Sequence, residues 1–128
     1  MATQGQCLVS TKTEKLQYND KMYKLVCSNY GNKLFLLISD TSLNKMGTLL
    51  QVRRQEIGPD QTDTTFSVQT LLGQEQEDIL VFGRAIGGYV LGPGSGDKAL
   101  LVACGFKTAD PAMLPLLLRT LDKVNVWN

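Results

Sequence analysis

The chain has 128 residues, with 13 basic against 12 acidic side chains and a formal charge of +1, which fits one domain of the common size of about 100 to 150 residues. Its one adjacent basic pair, Arg53-Arg54, makes no electrostatic stripe, so nucleic acid and anionic lipid are not expected as partners. There is no histidine, and with it go Ser-His-Asp and Cys-His catalysis, His-ligated metal and imidazole acid-base chemistry.

The opening "MATQGQCLVSTK" has neither the basic region nor the apolar run of a secretory signal. No apolar segment nears the roughly 18 residues that span a bilayer, so no membrane partner is expected. The expected location is the cytoplasm, with the nucleus also open to it. Cys7, Cys27 and Cys104 are an odd set, widely spaced in apolar runs, and read as buried free thiols in a reducing compartment.

In chain order, strand-like runs at 7–16 and 21–28 flank "YND" at 18–20, whose Asn and Asp suit a tight hairpin reversal. The turn "NYGN" at 29–32 leads into "KLFLLISD" at 33–40, and "TSLN" at 41–44 into "KMGTLLQV" at 45–52. These connections are too short for helical crossovers, so the strands are expected to run antiparallel. "RRQEIGPDQTDT" at 53–64 reads as a polar loop broken at Gly58-Pro59-Asp60. "TFSVQTLL" at 65–72 is the fifth strand.

After Gly73 the pattern changes. Glu75, Glu77 and Asp78 precede Ile79, Phe82, Ile86 and Val90, which is the spacing of an amphipathic helix with a solvated acidic first turn. Gly83, Gly87 and Gly88 each cost about 1 kcal/mol against alanine there, so they mark either a close approach to the sheet or a break near Gly87. "KALLVACGF" at 98–106 is the sixth strand. Asp110-Pro111 opens a second helix with the stripe Leu114, Leu117, Leu118, Leu121 and Val124, its first turn made irregular by Pro115. Trp127 reads as a packing anchor for the tail, with an exposed interface role as the alternative. The expected fold is α+β: a single domain over 1–128, an about six-stranded, mostly antiparallel sheet with two helices packed on one face, in the order βββββαβα.

The stretch "VLGPGSGDKALLV" at 90–102 resembles a phosphate loop until its order is considered. Asp97 separates Gly96 from Lys98, Ala99 stands where a hydroxyl is needed, and the helix precedes the strand rather than following it. It reads instead as a helix ending on Gly92 and a turn into the next strand. Tyr18, Tyr23 and Tyr30 lack the interleaved basic residues of a base-stacking platform. No catalytic, cofactor-binding or metal-ligating residue is nominated.

The strands are more telling. Leu34, Leu36 and Ile38 fall on one face of their strand and Phe35 and Leu37 on the other, while Leu101 opposes Leu100 and Val102. Helices can cover one face only, so Phe35, Leu37 and Leu101 are expected to meet another subunit, unless long loops or the amino-terminal segment cover them. Arg53 and Arg54 at the start of the polar segment, with Asp60 and Asp63 beyond, are expected to steer docking by charge.

Four segments, "KMGTLL" at 45–50, "TLLGQEQEDILVFGR" at 70–84, "DKALLVACGFK" at 97–107 and "VNVW" at 124–127, resemble in order and spacing the proteasome assembly chaperone 3 family. The resemblance implies a non-enzymatic chaperone. Such a chaperone pairs with proteasome assembly chaperone 4 as a heterodimer, can also self-associate, holds alpha subunits together while the 20S alpha ring forms, and leaves during maturation. The alternative is a longin- or roadblock-like scaffold for small GTPases, which shares the architecture. An enzymatic or ligand-binding domain would need a pocket with convergent polar groups.

Overall fold

The computed structural model describes residues 9–43, 47–57, 63–92, 98–107 and 109–127. Strands β1 (Ser10–Tyr18) and β2 (Lys21–Asn29) form the first hairpin. Its two-residue turn puts both Asn19 (φ 49°) and Asp20 (φ 61°) in the left-handed region, the geometry of a type I′ turn, which those two residue types tolerate best after glycine. Of the first expected strand, Cys7 and Leu8 lie outside the described residues. Strand β3 (Lys33–Asp40) pairs with β2 across a turn in which the Asn29 side chain accepts from the Gly31 amide at 2.8 Å.

Strands β4 (Thr48–Ile57) and β5 (Asp63–Leu72) form a second hairpin. The polar loop expected at 53–64 is therefore a correction: the strand runs on through Arg53, Arg54 and Gln55 to Ile57, and pairing resumes at Asp63. Polar residues at 53 to 56 fit a strand because it has a wet side and ends toward a sheet margin, so polarity alone does not make a loop. Gly58, Pro59 and Asp60 lie outside the described residues.

Strand β6 (Ala99–Gly105) follows helix α1 (Glu77–Val90) and inserts between β3 and β4, giving the sheet order β1-β2-β3-β6-β4-β5. It runs parallel to β3 and antiparallel to β4. The six-stranded sheet is thus mixed, with one parallel pair among otherwise antiparallel ones. Strands β3 and β4 run in opposite directions as expected, but they are not neighbours.

Helix α1 buries Ile79, Phe82, Ile86 and Val90, the expected stripe, and it does not break at Gly87. Gly83 and Gly87 are where it lies closest to β4. A Cβ on Gly83 would sit 2.6 Å from Leu50 Cδ1, and one on Gly87 2.4 Å from Val52 Cγ1. The helix ends on Val90, capped by Leu91, whose amide donates to Gly87 O at 2.8 Å, rather than on Gly92; residues 93–97 lie outside the described ones. Asp78 is no merely solvated acid: it accepts from the Ala109 amide at 3.0 Å and ties the start of α1 to the approach of the second helix.

Asp110 caps that approach through Ala112 N, and a 3₁₀ turn over Pro111–Met113 leads into α2 (Leu114–Leu121). The irregular start expected from Pro115 takes this form, because proline removes a donor that a full α turn would use. Leu117, Leu121 and Val124 are buried, and Leu114 and Leu118 flank them half-buried. The tail is pinned where the Asn29 side-chain amide donates to Val126 O at 2.7 Å, and Trp127 packs against the core.

Candidate functional site: the open face of the sheet

Both helices lie on one face of the sheet. On that inner face Leu16, Leu25, Cys27, Leu34, Leu36, Ile38, Leu50, Val52, Leu100, Val102 and Cys104 join the helices in one core. Alternation along each strand sends the residues between them to the outer face.

There the registers align apolar side chains across the sheet. Val26 lies opposite Leu37, Leu37 opposite Ala103, Ala103 opposite Leu49, and Leu49 opposite Leu72, so one row crosses five strands. In the next row Phe35 lies opposite Leu101. Val26, Phe35, Leu37, Leu49 and Leu101 are half-buried by their neighbours in the sheet, and Leu72 is 60% exposed. None of the six belongs to the core or packs against it. Basic rows bracket the apolar ones: Lys15 faces Lys24 at one end, and Lys33 and Arg53 flank Ala99 at the other. A directly opposed like-charge pair such as Lys15 and Lys24 is destabilising to a sheet.

The structure thus brings the expected Phe35, Leu37 and Leu101 together as one surface. Arg53 shares that face. Arg54 does not: it alternates to the inner side, opposite Phe66, so the two arginines form no common patch. Asp63 is the first residue of β5, opposite Ile57, and Asp60 lies outside the described residues. Val26, Leu49, Leu72 and the basic bracket escaped the sequence reading. The doublets Leu49-Leu50 and Leu71-Leu72 and the shared parity of Lys33, Phe35 and Leu37 were the signals that could have found them.

A second feature is a cleft of about 130 Å³ at the end of the sheet, lined by Tyr18, Lys21, Tyr23, Asp40, Lys107 and Asp110 among others. This is below the about 300 Å³ of small-molecule sites, its polar groups answer one another, and a more open hollow of about 340 Å³ lies beside it over Thr48, Gly73, Gln76 and Phe106. The Tyr18 hydroxyl donates to Asp110 Oδ2 at 2.9 Å, a bond that raises the phenol above its ordinary 10.0. The buried Asp40 accepts from the Ser42 hydroxyl at 2.7 Å and amide at 3.0 Å, which lowers its carboxyl below the ordinary 3.8, with Lys21 at 3.9 Å assisting. Burial pushes the thiols of Cys27 and Cys104 up to about 11 and about 12, so neither is a nucleophile at neutral pH. Among the described residues no group of three or more His, Cys, Asp or Glu is placed to hold a metal ion.

A sheet dressed by helices on one side and apolar on the other has the make-up of an interaction surface. Comparison with known proteins supplies the family. Residues 38–124 match the family model described as proteasome assembly chaperone 3, and the chain belongs to that family. Human proteasome assembly chaperone 3 is 25% identical over 104 residues, covering 81% of this chain and 83% of that protein. The cattle protein of the same name is 22% identical over 124 residues, covering 97% and 99%. A chain of the crystal structure of a chaperone complex for yeast 20S proteasome assembly superposes with a TM-score of 0.64 at 15% identity, covering 90% of this chain and 96% of that one. At that identity the likeness establishes the fold. The family establishes a role in proteasome assembly.

Proposed function

We propose that the chain is a non-enzymatic chaperone that pairs with proteasome assembly chaperone 4 through the outer face of its sheet. The pair holds alpha subunits together in the cytoplasm, and in the nucleus where assembly extends there, while the 20S alpha ring forms, and it is released during maturation. The observation that carries this reading is the continuous outer row from Val26 through Leu37, Ala103 and Leu49 to Leu72, with Phe35 and Leu101 beside it. A surface of that make-up is what a second sheet-bearing subunit would cover, and a specific interface needs about 800 Å² per partner. Release follows if later subunits bind the assembled ring more favourably than the chaperone does, a matter of differential affinity rather than of any reaction.

The test is purification of the tagged chain from its own cells beside a Phe35→Ser, Leu37→Ser variant. The wild type is expected to bring down a chaperone 4 subunit and alpha subunits, and the variant to lose them while melting within a few degrees of the wild type. Recovery of small GTPases in place of proteasome subunits would replace this reading with the scaffold one, and undiminished capture by the variant would remove the outer face from it.

A further inference from the structure

Beside the apolar rows of the outer face the charged residues are basic, and the one acidic residue that the registers give this face, Asp63 opposite Ile57, stands two rows beyond Arg53. Lys15, Lys24, Lys33 and Arg53 are all exposed, and they stand on four strands at both ends of the apolar rows. The other described carboxylates that bear on the sheet or the helices are elsewhere. Asp40 is buried on the inner side, Glu14 alternates to the inner side opposite Leu25, and Glu75, Glu77, Asp78, Asp110 and Asp122 belong to the helical layer or its approaches.

Resting on the reading of this face as the docking face, we propose that the basic bracket selects its occupant: a second sheet-bearing subunit whose apolar face is edged by carboxylates, in preference to a second copy of this chain. Two copies stacked on this face would bring cation toward cation at both ends of a surface that loses water as it closes, and attraction would come from the apolar rows alone. A partner with acidic edges meets the same rows and pairs each cation. Like-charge juxtaposition suppresses wrong partners, and opposite charge speeds encounter with the right one. The opposed Lys15 and Lys24, unfavourable within the isolated sheet, gain a counter-charge only in the second arrangement.

A copy of this chain with Lys15→Glu, Lys24→Glu, Lys33→Glu and Arg53→Glu is a defined probe, because it keeps the apolar rows and reverses the bracket. Sedimentation velocity of labelled wild type mixed with this variant is expected to show a mixed pair at least tenfold tighter than the wild-type self-pair. That advantage should shrink as salt rises from about 0.05 M to about 0.5 M and the Debye length shortens. A wild-type self-pair as tight as the mixed pair, or a mixed pair indifferent to salt, overturns the proposal. If the quadruple variant fails to melt cooperatively, the pair Lys24→Glu, Arg53→Glu serves as the probe with the same two outcomes. Introducing Phe35→Ser and Leu37→Ser into the wild-type partner separates the failures. If these changes abolish association while charge reversal does nothing, the face stands and the bracket's role falls; if they change nothing, the docking face itself falls with it.

Discussion

Leu36 and Leu37 are neighbours in β3, and Leu100 and Leu101 are neighbours in β6, yet the first of each pair is fully buried beneath the helices and the second is half-buried on the far side of the sheet. Residue type, strand and distance along the strand are matched, so the difference isolates what covers each side. On the inner side a leucine is worth about 1.5–3 kcal/mol of folding free energy. On the outer side part of the leucine's area stays in contact with water in the isolated chain. The comparison teaches that a core and an open apolar face are written in the same residues, and that the position of the helices decides which is which.

Truncation on the two sides gives the sharpest contrast. Leu36→Ala is expected to cost about 2–5 kcal/mol in urea unfolding, as buried leucines do, and Leu37→Ala under about 1 kcal/mol in the isolated chain. Similar losses for both would mean that the outer face is already covered within the chain.

The helix layer offers a smaller contrast within one sequence doublet. Gly87→Ala drives a methyl to 2.4 Å from Val52 Cγ1, while Gly88→Ala places one 3.6 Å from Phe66 Cε2, an ordinary contact. Overpacking should outweigh the helix propensity gained at residue 87, for a net loss of about 1–2 kcal/mol. The same change at residue 88 should stabilise by about 0.5–1 kcal/mol. Melting temperatures moving the same way would refute this account of how α1 meets the sheet.

The smallest effect is in acid. Asp40 is held charged by Ser42, with its carboxyl lowered below 3.8, so the unfolded chain takes up the proton first. Its contribution is therefore complete above that ordinary value and is lost as the pH falls through the lowered one. Urea melts between about pH 5 and about pH 2 should show a shallower acid loss for Asp40→Asn than for the wild type. Equal slopes would mean that the buried carboxylate adds nothing to that limb.

The features legible in the sequence were those set by local period. The i, i+3, i+4 run of Ile79, Phe82, Ile86 and Val90 reports a helix wherever it packs, and the uninterrupted apolar run from Leu34 to Ile38 reports a strand that wants cover on both sides. Asn19-Asp20 names its own turn. What escaped depended on distant partners. Arg53 to Glu56 look like loop until β5 is seen beside them, because a strand's polarity records its surroundings and not its backbone. That β6 would part β3 from β4 leaves no local trace either, since strand order is a property of pairings across many residues. The basic bracket went unremarked because Lys15, Lys24, Lys33 and Arg53 are spread over 39 positions of sequence and meet only through the registers.

The late strand also carries a consequence for the order in which the molecule is made. In the finished sheet β1, β2 and β3 are one hydrogen-bonded set and β4 and β5 another, and among the described residues the two sets are joined only through β6. The native pairings therefore leave the two sets unjoined until the residues of β6 have been added to the chain. Loop-closure entropy must then be met at the β3 to β6 junction, where Lys33 pairs with Ala99, before the centre of the sheet exists. The proposed docking face is completed in the same event, because Leu101 then takes its place beside Phe35 and Ala103 joins the Leu37 row to the Leu49 row. A chain cut short before β6 therefore lacks the strand that joins the two halves of its apolar outer face.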